Sequence, residues 1–118
     1  MMEYAKEQIE ELKGYCSKVG ALTEGNDTFL HLEKLRLPEG CEPRECDALL
    51  RPLGGPDGYP SRLYFSVQVR SSYTRNWNVS NARICEKNWF AFSWMVTLQS
   101  PTLAQILVAH LTGFTKEK

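Results

Sequence analysis

The sequence predicts an α+β domain, an antiparallel meander sheet flanked by an N-terminal and a C-terminal helix. Two observations lead there. Extended, β-prone stretches follow one another in a run bounded by helical patterns, instead of alternating with helices as a doubly wound sheet requires. Turn-rich clusters, "EGND", "PEGCEP" and "GGPDGYP", separate those stretches at short intervals. The length, 118 residues, fits a single domain over residues 1–118 that can bury its own core.

Each element has a local reason. Ile9, Leu12, Cys16 and Val19 recur at helical spacing, with Glu7, Glu10, Glu11 and Lys13 between them, so the first helix is amphipathic. Gly20 is placed to end it. After the "EGND" turn, Phe29, His31, Glu33 and Leu35 alternate with Leu30, Leu32, Lys34 and Arg36, a strand with apolar residues in both phases. "ECDALLRPL" is a second strand. "RLYFSVQVR" is a third, with Leu63, Phe65, Val67 and Val69 on one face. Residues 71–81 are polar and turn-rich, too long for a tight hairpin, and read as a functional loop. "WFAFSWMV" is β-prone without alternation, a buried strand or irregular packed chain. In "SPTLAQILVAHLTGF", Ser100 suits the N-cap and Pro101 the first helical position, and Leu103, Ile106, Leu107, His110, Leu111 and Phe114 form one face. There is no repeat and no interdomain linker.

Composition narrows the function classes. Fourteen basic and fourteen acidic side chains give zero formal net charge, which disfavours nucleic-acid binding driven by phosphate contacts. No run of apolar residues reaches membrane-spanning length, and the charged start lacks a signal peptide's apolar core, so a cytoplasmic protein without a membrane partner is expected. In that compartment Cys16, Cys41, Cys46 and Cys85 are expected as free thiols. Cys41 and Cys46 have no second Cys/His pair at zinc spacing, and no metal or other cofactor is expected.

The stretch "NWNVSNARICEKNWFAFSW" carries the sharper signal. It places Cys85 after an asparagine-rich lead-in and before a run of aromatic rings. With the helix, meander and "GYP" turn ahead of it and a helix behind, this order resembles that of ubiquitin-conjugating enzymes. Their histidine–proline–asparagine hallmark and flap precede an "IC" pair. Here Asn76-Trp77-Asn78, "VSNAR" and Ile84-Cys85 stand in the same order, with asparagine in place of the histidine and tryptophan in place of the proline. "GYPSRLYF" is similar to the family's "YP…PP…F" segment. The likeness covers roughly residues 3–115 and is greatest to a bacterial branch, family E of the prokaryotic ubiquitin-conjugating enzymes, in which "LPEG…CDALL…GYP", "NW" and "FSW" recur.

The resemblance implies a UBC-like fold, with a ubiquitin-like protein and its activating enzyme as partners. Cys85 would accept the modifier's C-terminus as a thioester and pass the acyl group to a lysine. Asn78 would steady the oxyanion as the amine attacks. The residues themselves leave an alternative open: a catalytically inactive module of the same fold that docks the modifier or the activating enzyme. Arg83 and Lys87 lie two residues either side of Cys85. In an extended segment they share its face and lower the thiol pKa. Equally, cysteine is a small hydrophobe that often fills a core. Trp77 with Asn76, inside the polar loop, suits contact with a partner's tail. His110 reads as a core or rim residue, and His31 as a strand residue with no evident partner.

Overall fold

The computed structural model describes residues 6–24, 27–52, 59–71, 77, 79–84, 86–92, 96–97 and 102–114. Helix α1 spans Lys6–Leu12 and helix α2 spans Leu103–Leu111, continued by a 3-10 turn at Thr112–Phe114. Between them, six strands among the described residues form one sheet: β1 Lys18–Glu24, β2 Asp27–Arg36, β3 Glu45–Arg51, β4 Arg62–Phe65, β5 Val79–Ile84 and β6 Lys87–Ala91. Their order is β1-β2-β3-β4-β6-β5, and every described pairing is antiparallel. The chain is therefore α+β, a meander extended by a hairpin.

The first helix is shorter than its periodicity suggests. It stops at Leu12, and residues 18–24, expected partly as its tail, pair instead with β2 from Lys18↔Glu33 to Glu24↔Asp27. Strand pairing along a ten-residue β2 outweighs the local helical pattern. The spacing was not misleading about burial. Leu12 and Cys16 are both in the core, and the Cys16 thiol donates to the Leu12 carbonyl at 3.4 Å.

Alternation along the strands divides the apolar residues between two faces. On the first face Leu30, Leu32, Leu50, Leu63 and Phe65 meet Leu12 of α1 and Leu103, Ile106, Leu107 and Leu111 of α2. The two helices thus lie together on one side of the sheet. Gln8 of α1 even accepts a hydrogen bond from the Leu103 backbone N–H at 3.0 Å, supplying a partner at the start of α2. On the second face Phe29, Leu49, Tyr64, Ile84, Trp89 and Ala91 form their own buried cluster.

The sheet supplies its own cover there. In a flat sheet β2 and β6 would stand three strand intervals apart, about 14 Å. The His31 and Trp89 ring centroids are 6.1 Å apart. The sheet therefore curls across its second face. Its described β4–β6 strand pairing is the single pair Phe65↔Phe90, a narrow joint that permits the curl.

Three further expectations change. The third expected strand ends at Phe65, so Val67 is exposed, not inward-facing. The predicted loop over 71–81 gives way to β5 at Val79, and of the β-prone aromatic stretch only residues 89–91 fall in β6, with 93–95 outside the described residues. Helix α2 is capped by Thr102, with Ser100 and Pro101 outside the described residues.

Candidate functional site

The expected site is divided by β5. Ile84, beside Cys85, stands at the turn of the β5–β6 hairpin, and Val79, beside Asn78, stands at its opposite end, about 17 Å away along the strand. Ile84 pairs with Lys87, so the chain reverses over two residues, and Glu86 takes the positive φ of 68° that so tight a turn favours. Trp89 braces the reversal by donating its indole N–H to the Ile84 carbonyl at 3.2 Å. Cys85, Asn76 and Asn78 themselves lie outside the described residues.

Their described neighbours are placed. Arg83, Glu86 and Lys87 are exposed. Residues paired across strands share a face, so Lys87 shares the face of Ile84 while Arg83 shares that of Asn88. The two cations expected on one side of Cys85 therefore stand on opposite faces of the hairpin. The pairing of Ile84 with Lys87 reverses the chain where an extended segment would have united them.

Trp77, expected to meet a partner's tail, is half-buried and packs against the first core. Its ring is edge-on to Phe65 at 5.9 Å and to Phe92 at 5.2 Å. It ties the segment ahead of the hairpin to the centre of the molecule.

The other thiols differ from an activated one. Cys16 and Cys41 are buried, and burial pushes both thiols above their ordinary pKa. Burial also drives Cys46 up to about 11, against an opposing hydrogen bond from Ser66. All three are held as neutral S–H groups at neutral pH, unsuited to nucleophilic work.

Two polar clusters lie away from the hairpin. Ser61 Oγ and His110 Nε2 are 2.9 Å apart, and both residues are buried. Burial, then the charges of Arg62 and Arg51, lower the His110 pKa to about 4. The imidazole is neutral at pH 7. A serine beside a neutral histidine has the elements of a nucleophile–base pair. With 3% and 4% of their surfaces exposed, however, these groups meet no substrate, and the pair serves the core.

Arg51 and Arg62 are cross-strand partners and are also buried. Arg51 donates to the Tyr59 carbonyl at 3.0 Å, and Arg62 lies over the Tyr59 ring, 3.9 Å from its centroid. On the second face His31 Nε2 is 3.7 Å from Asp47 Oδ2. Asp47 also accepts from the Lys34 backbone N–H at 3.0 Å, at the bulge where Lys34 has a φ of 53°.

Sequence reasoning missed Ser61, Arg51 and Arg62. The available signal was charge where apolar neighbours imply burial, as in "ALLRPL" and "SRLYF". The Asp47 partner of His31 was hidden because it stands one strand over and diagonally displaced. Among the described residues, no group of His, Cys, Asp and Glu is arranged to hold a metal ion, and no helix is long and apolar enough to cross a membrane. No family model matches the chain, and no curated protein or solved structure matches it significantly.

Proposed function

We propose that this chain is a ubiquitin-conjugating-enzyme-like domain that receives a ubiquitin-like modifier from an activating enzyme. In this reading the Cys85 thiolate attacks the carbonyl carbon of the modifier's C-terminal thioester and expels the activating enzyme's sulfur. A substrate lysine then attacks the new thioester. The Cys85–acyl bond breaks, sulfur leaves with the electron pair, and the amine gives up its proton. The family resemblance gives the oxyanion to Asn78, but Val79 next to it and Ile84 next to Cys85 are at opposite ends of β5, about 17 Å apart, which counts against that role.

The observation that carries the reading is a contrast among the cysteines. Of the residues flanking Cys85, Ile84 is buried, while Arg83, Glu86 and Lys87 are exposed at the hairpin turn. The three described thiols elsewhere are held protonated by burial. The helix–meander–helix order, with both helices on one face, supports the same family resemblance.

A second reading has its own support. Arg83 and Lys87 point to opposite faces of the hairpin, and Glu86 adds a negative charge next to Cys85. Both features remove stabilisation from a thiolate. They favour a docking module that holds the modifier or the activating enzyme without covalent capture.

One experiment separates the two. The purified chain is incubated with ATP, an activating enzyme and its ubiquitin-like protein, then analysed with and without reductant. A reductant-sensitive adduct lost in Cys85→Ala supports the carrier. Binding without an adduct, unchanged by Cys85→Ser, supports the docking module. An adduct that persists in Cys85→Ala ends the thioester version.

A further inference from the structure

We propose that β1 is a self-complementary edge, and that two copies of this chain pair through it as an antiparallel, two-fold symmetric extension of the sheet centred on Ala21. An edge strand presents unpaired N–H and C=O groups along its outer side, and proteins that keep such an edge monomeric interrupt it with proline, a bulge or a central charge. β1 has none of these. It occupies one end of the strand order, its register with β2 is unbroken from Lys18 to Glu24, and residues 19–23 are Val, Gly, Ala, Leu and Thr. Lys18, Ala21 and Thr23 are exposed. At the other end of the sheet, β5 has its register broken between Val79 and Ala82.

The choice of a second copy as occupant comes from what the register brings together. A two-fold axis at Ala21 sets each residue opposite the one equally far beyond that centre. Lys18 then stands opposite Glu24 of the second copy at both ends of the ladder, so each basic position meets an acidic one. Gly20 stands opposite the second copy's Leu22, on the same face of the joined sheet. A Cβ built at Gly20 meets nothing within 4 Å. The second copy's leucine would fill the space that this glycine leaves, as large side chains do opposite strand glycines. Leu22 and Val19 already pack, half-buried, at the margins of the two cores. Pairing at this edge would continue both.

The register makes Ala21 its own partner, and the test uses that. Sedimentation equilibrium of the full chain, from ~1 µM to ~1 mM, is expected to show a monomer–dimer equilibrium. Ala21→Lys and Ala21→Glu each place like charges face to face and should weaken the dimer roughly tenfold or more. Mixed in equal amounts, the two variants should recover a one-to-one dimer. Because Ala21 is exposed, both should retain the far-ultraviolet circular dichroism of the parent.

A variant-free measurement stands beside this: hydrogen exchange at β1 amides should slow as protein concentration rises. A monomer across the whole range overturns the proposal. So does a dimer indifferent to Ala21→Lys, a charge-swapped mixture that stays monomeric, or β1 exchange independent of concentration.

Discussion

His110 shows how a residue's place in the core becomes a pH dependence. Its folded-state pKa, about 4, lies below the ordinary histidine value of 6.5 because burial and two arginines oppose the charged ring. Between those values the unfolded chain binds a proton that the folded chain refuses. Stability from this site is therefore complete above pH 6.5 and is lost as pH falls toward 4. A shift of that size corresponds to about 3 kcal/mol. Urea midpoints of the parent and of His110→Gln, measured from pH 7 to 5, should converge as pH falls, since the variant has no such proton to take up. A constant gap would show that His110 does not titrate in this way. Part of this residue was readable beforehand: its position on the apolar face of the last helix marked it as core. The Ser61 hydroxyl and the arginines were not, because their proximity to His110 depends on how α2 crosses the ends of β3 and β4.

The elements divide by how much of their stability is local. Helix α2 carries its own start signal, a capping box in which Thr102 Oγ1 accepts from the Gln105 N–H at 3.2 Å and Gln105 Oε1 accepts from the Thr102 N–H at 2.8 Å. The sequence marks this start two residues early, at Ser100, because "SPT" offers two hydroxyl caps and the proline favours the first. Only the reciprocal glutamine identifies Thr102. Thr102→Ala should cost about 1 kcal/mol. Gln8→Ala, which removes a partner supplied by α1 from 95 positions away, should cost about the same. Urea denaturation of the two single variants and the double variant tests whether the caps act separately. Values that add would fit two independent donors, Gln105 N–H and Leu103 N–H. Strand β1 is the opposite case. "KVGALTE" has little strand signal of its own and sits within reach of a helical pattern, so its conformation is set by β2. The hairpin of β5 and β6 was likewise obscured, because its polar half reads as loop and its aromatic half lacks alternation.

At the scale of the molecule, the sheet must bury two faces with helices on only one, and aromatic packing joins the parts. Phe65, fully buried, stacks with Phe92 at 6.1 Å and meets Phe114 at 5.3 Å and Trp77 at 5.9 Å. These four rings come from β4, from position 77 ahead of β5, from the residue just past β6 and from the turn after α2. Trp77 is therefore where a partner-contact role and a core role can be told apart. If its ring only met another protein, Trp77→Ala would leave the fold's stability unchanged. Its packing predicts a loss of roughly 2 kcal/mol for this half-buried ring, against roughly 4 kcal/mol for Phe65→Ala at the centre. Because the two rings touch, the double variant should lose less than the sum of the single losses. Denaturant titrations of the three variants measure this directly. A Trp77→Ala protein as stable as the parent would detach the segment ahead of the hairpin from the core. A deficit in modifier binding at unchanged stability would return Trp77 to the partner's side.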